Sequence, residues 1–163
     1  MTTDERTARE LAQEHAYRDD GNLVELDVDT CLGLLAGHEV GRLALNDDPG
    51  PLVMPVNYVV DGGTVAFRTT WGSKLDAAEQ HRPASFQVDH LDVGRRIGWS
   101  VLVRGRLREV TDPDEIDLLD GLSLQPWAGG DKAHWVRVMA AAITGRWIPI
   151  AADDDDPPVT APA

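Results

Sequence analysis

Apolar and polar residues alternate in short runs between residues 40 and 150, which is the pattern of half-buried β-strands. Clusters of Gly, Asp, Asn and Pro separate these runs and predict turns. The Asp61-Gly62 pair predicts a tight hairpin. Six strands are expected, the last of which can be a hairpin or one long bent strand: 40–45, 52–60, 64–69, 84–89, 99–110 and 135–150.

Three short helices are expected around these strands. Residues 27–38 begin with a capping aspartate and end at Gly37, and a second helix follows Gly72 with Ser73 as its N-cap. The third opens at Asp112-Pro113 and runs to about Leu122. Strands joined by hairpins, without a strand–helix–strand rhythm, predict a mainly β (α+β) fold, an antiparallel barrel with short peripheral helices.

Pro55 interrupts the second run and predicts an edge strand or a bulge there, because proline cannot donate a ladder hydrogen bond. The length of 163 residues fits one domain with tails. We expect a polar arm over 1–22, partly helical or disordered, and a folded domain over 23–150. Residues 151–163 are acidic and proline-rich, which predicts a disordered tail.

Charge and cysteine content narrow the class of function. The chain has 28 acidic and 15 basic residues and a net charge of −13, which argues against nucleic-acid and anionic-membrane partners. Its one cysteine, Cys31, lies among leucines and is expected to be a buried structural thiol. A single cysteine, no signal peptide and no apolar run of membrane-spanning length predict a soluble, cytoplasmic protein.

The stretch from Phe67 to Lys74 carries the clearest candidate chemistry. Arg68 and Lys74 flank three hydroxyl side chains and a glycine just before a predicted helix. Backbone N–H groups at a helix start and two cations favour a phosphate, although a solvated loop fits the same spacing. The five histidines lack metal-ligand spacing, so no metal site is predicted.

The sequence resembles the pyridoxamine 5′-phosphate oxidase-like, FMN-binding split-barrel family, especially its nitroimidazole-resistance-like branch. Segments that occur in the family's order carry the resemblance: 40–44, 55–58, 67–69, 72–74, 86–89 and 98–101. The resemblance covers about 28–150. It implies a six-stranded split β-barrel, a homodimer, and FMN bound at the dimer interface.

The family pattern also implies roles for single residues. Arg68, Ser73 and Lys74, helped by Thr69, would take the FMN phosphate. The backbone of Pro55, Val56, Asn57 and Tyr58 would run past the isoalloxazine, with the Asn57 side chain at its polar edge. Further candidate cofactor contacts, some supplied by the partner chain, are Gln87, Trp99, Ser100 and Trp127. A core or interface tryptophan is an equal alternative for Trp127.

The chain departs from the true oxidase, because Met54-Pro55-Val56-Asn57 replaces that enzyme's basic strand. That departure argues against pyridoxal phosphate synthesis. The resemblance implies instead an FMN-dependent oxidoreductase that passes electrons from reduced nicotinamide to a small organic acceptor. No catalytic residue is assigned. The alternatives are a haem-binding or haem-degrading split barrel, with His134 or His90 as axial ligand, and a non-catalytic flavin store or sensor. A deazaflavin in place of FMN is a variant of the first interpretation.

Overall fold

The computed structural model describes residues 23–125, 127, 129 and 132–148. The predicted arm over 1–22 and tail over 151–163 lie outside the described residues. The strands are β1 (Val24–Leu26), β2 (Val40–Leu45), β3 (Leu52–Asn57), β4 (Val59–Asp61), β5 (Thr64–Thr69), β6 (Pro83–Asp92), β7 (Ile97–Val110) and β8 (His134–Ile148). The helices are α1 (Val28–Ala36), α2 (Ser73–Glu79) and α3 (Pro113–Asp120).

The described strands form one antiparallel sheet in the order β3-β2-β6-β7-β8-β5-β4, with β1 added beside β8. The 14-residue β7 and 15-residue β8 pair along nearly their whole length and form the middle of the sheet. A bulge between Arg104 and Gly105 shifts their register. The mainly β split-barrel architecture predicted from the sequence is confirmed.

The strand count is eight within the described residues, so the prediction of six strands is wrong. The predicted run 52–60 divides into β3 and β4 at Tyr58, whose ring turns into the core while its N–H donates to the Glu39 carbonyl (3.2 Å). The remaining strand, β1, has only three residues and pairs with the end of β8. So short a segment has no detectable alternation. The last predicted run is one long strand as far as the structure describes it.

Helices α1 and α3 start where the sequence predicts. The Asp27 carboxylate accepts from the Thr30 N–H at 2.8 Å and α1 ends at Gly37. Asp112 caps α3 in the same way, and Pro113 is the first residue of that helix. No helix among the described residues is long and apolar enough to cross a membrane.

The main core lies inside the curved sheet and beneath α1 and α2. Its large buried side chains are Phe67, Phe86, Leu35, Leu43, Leu75, Leu107, Val65, Val88, Val101 and Val103. A smaller cluster under α3 contains Ala66, Val110, Leu119 and Trp135. Each of these large side chains contributes about 1.5–3 kcal/mol by leaving water. The packing therefore holds β5 and the start of α2 in place, the two elements that carry the predicted phosphate residues.

Candidate functional site

Arg68 lies near the end of β5 and faces Trp135 of β8 across the ladder. Its guanidinium carbon is 5.6 Å from the centroid of the Trp135 ring. The Arg68 Nε is buried and has no hydrogen-bond partner within the described residues, and none of their carboxylates forms an ion pair with Arg68. A buried donor without an acceptor is costly, so this position favours an anionic ligand.

The chain between Arg68 and α2 is held in a loop that only glycine adopts without strain. Thr69 is buried, and its hydroxyl donates to the Thr70 carbonyl at 3.2 Å. Gly72 has φ +137° and occupies the N-cap position of α2, so the prediction that Ser73 is the N-cap is wrong. Ser73 is instead the first helical residue, and no side chain caps this helix. The N–H groups of Leu75 and Asp76 donate to the Gly72 carbonyl, at 2.9 and 3.0 Å, which leaves those of Ser73 and Lys74 without an acceptor inside the helix.

Lys74 extends from α2 towards the free edge of β3. Its ammonium nitrogen is 3.7 Å from the Met54 sulfur. Burial, together with the nearby charge of Lys132, lowers the pKa of Lys74. These two are the only lysines in the chain, and within the described residues neither forms an ion pair with a carboxylate. Among the described residues, Arg68, Lys74 and Lys132 thus have no acidic ion-pair partner, which favours the binding of an anion.

The β3–β4 corner presents mainly its backbone. Pro55 is exposed on the edge strand, as predicted, while the side chains of Val56 and Tyr58 are buried. The Tyr58 hydroxyl donates to the Leu35 carbonyl at 2.5 Å, and its ring packs edge-on against Phe86. Burial raises the pKa of Tyr58, so its hydroxyl stays protonated. A ligand here would meet the main chain and the side chains of Pro55 and Asn57.

Asn57 joins this corner to a cavity of about 760 Å³. Its amide nitrogen donates to the Glu39 carbonyl at 3.3 Å, and its amide oxygen accepts from the Trp127 N–H at 2.9 Å. The Trp127 side chain is largely exposed. The cavity is lined by the end of α1, the β3–β4 corner, residues 122–125 and Trp127. Two predicted site residues that are 70 positions apart therefore lie in direct contact.

The remaining predicted contacts lie elsewhere in the sheet. The Gln87 amide donates to Asp89 at 3.0 Å, and Ser100 faces Asp89 across the β6–β7 ladder. Trp99 is buried against the edge of the His38 ring, with centroids 4.8 Å apart. No hydrogen bond or ring contact among the described residues joins Gln87, Trp99 or Ser100 to Arg68 or Lys74. Their role at a flavin stays a prediction.

Three residues near the phosphate candidates were not assigned to them by sequence reasoning. Lys132 precedes by two residues His134, which faces Thr69 across the β5–β8 ladder, and its charge contributes to the lowered pKa of Lys74. The His134 Nδ1 is 2.9 Å from a Glu109 carboxylate oxygen, and its ring contacts the Trp71 indole with centroids 4.9 Å apart. The rarity of lysine is a signal that could have indicated Lys132, whereas nothing local to Trp71 indicates its contact with His134.

The two histidines of the haem alternative lie in different settings. His134 faces Thr69 at the end of the β5–β8 ladder and holds its carboxylate partner. His90 faces Trp99 across the β6–β7 ladder, with the rings nearly parallel and 6.4 Å apart. No group of three or more His, Cys, Asp or Glu side chains in the described part of the chain could hold a metal ion.

Comparisons with known proteins place this geometry in context. The family model described as pyridoxamine 5′-phosphate oxidase matches residues 27–147. The chain is 34% identical over 140 residues to the protein Rv0080 of Mycobacterium tuberculosis. The matched region covers 83% of this chain and 90% of that protein. Its fold is similar to that of an FAD-binding protein from Mycobacterium smegmatis, with TM-score 0.66, 38% identity, and coverage of 77% of this chain and 99% of the other. An FAD-binding protein from Mesorhizobium loti gives TM-score 0.64 and 25% identity, with 78% and 99% covered.

Proposed function

Because the chain belongs to the pyridoxamine 5′-phosphate oxidase family, we propose that it binds a flavin nucleotide through the FMN group, as FMN or as the FMN half of a larger nucleotide. Arg68, Ser73 and Lys74, with Thr69 behind them, hold the flavin phosphate. The similar proteins from M. smegmatis and M. loti are FAD-binding proteins, which supports a flavin as the ligand.

The observation that carries this proposal is the Arg68 Nε, which is buried without a hydrogen-bond acceptor in the described residues. Burial, and after it the charge of Lys132, disfavours the charged form of Lys74 and lowers its pKa. A phosphate dianion relieves both costs, since its oxygens accept from the guanidinium and neutralise the ammonium groups. The uncapped start of α2 adds N–H donors to the same site.

The protein's contribution is binding and orientation. Arg68 is held in place by the Trp135 ring beneath it, and Lys74 by Met54 and the body of α2. The backbone from Pro55 to Tyr58 is rigid because Val56 and Tyr58 are anchored in the core, so it offers fixed polar groups along the ligand. A bound flavin supplies hydride and electron transfer, and few protein acids or bases are then needed.

We propose that the activity is that of an oxidoreductase. Reduced nicotinamide gives up a hydride, and a small oxidised organic acceptor takes two electrons and two protons, the second proton coming from solvent. The active form is a cytoplasmic homodimer with flavin at the interface, where Gln87, Trp99, Ser100 and Trp127 make the remaining contacts, some of them from the partner chain. The absence of the oxidase's basic strand at residues 54–57 disfavours pyridoxal phosphate synthesis.

The test starts with the absorption spectrum of the purified full chain, before and after addition of FMN and FAD. Paired flavin bands, and a flavin nucleotide recovered after denaturation, are expected. A Soret band would favour the haem alternative and direct attention to His134 and His90. A colourless protein that takes up neither FMN nor FAD would overturn the proposal.

Two further measurements separate the finer parts of the proposal. Gel filtration with light scattering is expected to give twice the 17.8 kDa chain mass. The flavin-loaded protein is expected to oxidise reduced nicotinamide when a nitroaromatic or quinone acceptor is present. Flavin binding without such turnover would instead identify a flavin store or sensor.

A further inference from the structure

Beside the phosphate candidates lies a rim formed by Trp71, Lys132 and His134. Thr69 and His134 are the last pair of the β5–β8 ladder. Trp71 follows Thr69 by two residues, and Lys132 precedes His134 by two, so both leave the sheet at the same end. This end of the sheet thus carries the half-buried Arg68, the exposed indole of Trp71 and the half-buried Lys132.

The Trp71 indole is 73% exposed yet held in a defined orientation. It meets the His134 ring at an interplanar angle of 68°, with centroids 4.9 Å apart. The His134 ring is oriented in turn by the Glu109 carboxylate at 2.9 Å. A large apolar ring displayed to solvent on a fixed support is a surface on which another flat ring can stack.

Lys132 adds a charge that one phosphate group held by Arg68, Ser73 and Lys74 does not require. It is half-buried, lies two residues before the His134 that faces Thr69 across the β5–β8 ladder, and has no carboxylate partner within the described residues. A ligand with a second phosphate next to the first would bring negative charge towards Lys132 as well as Lys74. Repulsion between them would then become attraction to a shared ligand.

We propose that this rim binds the adenylate half of the cofactor, with adenine stacked on Trp71 and the second phosphate at Lys132. This inference rests on the proposed function. The cofactor bound most tightly is then FAD, whose flavin-side phosphate occupies the Arg68–Lys74 site. His134 is a positioning residue, because it acts only by orienting the indole.

The test measures dissociation constants for FMN and FAD, by flavin fluorescence, on the full chain stripped of bound ligand. The unmodified protein is expected to bind FAD at least tenfold more tightly than FMN. Trp71→Ala should weaken FAD binding about tenfold, the range of one base–aromatic stack, and change FMN binding less than twofold. Trp71→Phe should keep most of the affinity for FAD. Lys132→Gln should weaken the binding of FAD and leave that of FMN unchanged.

Leu118→Ala and Arg95→Gln are matched controls. Leu118 is a similarly exposed apolar side chain on α3, and Arg95 is an exposed cation at the β6–β7 turn. Both should leave the two dissociation constants unchanged.

Several outcomes would overturn the inference while leaving the proposed function intact. Equal affinity for FMN and FAD would do so, as would a Trp71→Ala variant that weakens both ligands equally. A variant that binds FAD normally but binds reduced nicotinamide dinucleotide less tightly would assign the adenylate to the electron donor and not to the cofactor. A variant that only dissociates the dimer would assign Trp71 to a contact between copies. Failure to bind either flavin would overturn the proposed function itself.

Discussion

Arg68 and Trp135 face each other across the β5–β8 ladder, with the guanidinium carbon 5.6 Å from the indole centroid. The indole nitrogen of Trp135 donates to Asp120 at 2.8 Å, which fixes the ring from the side of α3. The face of the ring therefore contacts the Arg68 guanidinium and orients it without offering a hydrogen-bond acceptor. A contact between a cation and an aromatic face is worth about 0.5–2 kcal/mol, so the arginine is positioned while its donors stay free for a ligand.

Removing both phosphate cations should release the flavin. Arg68→Ala combined with Lys74→Ala is expected to weaken flavin binding at least about 100-fold, because each charged hydrogen bond lost is worth about 1.5–3 kcal/mol. Isothermal titration with FMN measures the effect, and a thermal melt checks that the variant folds. Arg95→Ala serves as the control for loss of a positive charge. Unchanged affinity in the double variant would show that the phosphate binds elsewhere.

Two glycine-to-alanine substitutions should have opposite effects on stability. A methyl group at Gly105 would overlap the Met139 carbonyl oxygen, whereas a methyl at Gly33, on the surface of α1, has nothing within 4 Å. Gly105→Ala is expected to destabilise the fold by about 3 kcal/mol or more through overpacking at the bulge. Gly33→Ala should stabilise it by roughly 0.5–1 kcal/mol through helix propensity. Urea denaturation curves of both variants give the signs directly, and a stable Gly105→Ala protein would contradict the bulge geometry.

The Cys31 thiol should be protected in the folded protein. It is fully buried, and this burial raises its pKa to about 11 from an ordinary value near 9. We expect slow reaction with a thiol reagent at pH 8 in buffer and fast reaction in denaturant. Rapid labelling of the folded protein would show that α1 opens readily.

The same thiol makes stability depend on pH in the alkaline range. Between about pH 9 and 11 the unfolded chain loses the Cys31 proton while the folded chain keeps it. The unfolded state then binds fewer protons, so stability falls as pH rises through this window. Cys31→Ala should flatten that part of the profile, and denaturation midpoints measured at pH 8, 9 and 10 would show the change. An identical slope in the variant would assign the dependence to another group.

The free energy of unfolding should depend strongly on the ion pair between Arg137 and Asp61. The Arg137 side chain is buried, and it donates to the Asp61 carboxylate at 2.5 Å and to the Thr64 hydroxyl at 2.6 Å. Asp61→Ala leaves this charge with Thr64 and a more distant Glu115, 3.8 Å away, and is expected to cost about 2–3 kcal/mol. Arg95→Ala, which breaks an exposed pair with Asp92, should cost less than about 0.5 kcal/mol. Similar losses in the two variants would contradict the burial of the Arg137 pair.

Much of the fold is predictable because its signals are local. Asp27 and Gly37 bound α1, Asp61-Gly62 sets the β4–β5 hairpin, and Pro55 marks an edge strand. Each of these depends on the conformational preferences of a few consecutive residues. The division of 52–60 was missed because it depends on Tyr58 reaching Leu35, a contact over 23 positions. The three-residue β1 was missed because it is too short for a pattern.

The candidate site likewise has a part that local sequence predicts and a part that depends on contacts between distant residues. Arg68, Ser73 and Lys74 lie within seven residues, so their spacing alone indicates a phosphate site or a solvated loop before any fold is known. The other relationships at the site join positions between 58 and 70 residues apart. They are the effect of the Lys132 charge on Lys74, the hydrogen bond between Asn57 and Trp127, and the contact of Arg68 with the Trp135 ring. Such contacts follow from the order and register of the strands, which collective burial of the core selects. The local pattern of residues thus specifies the elements and one cluster of candidate chemistry, whereas the order and register of the strands determine which distant charges and rings surround it.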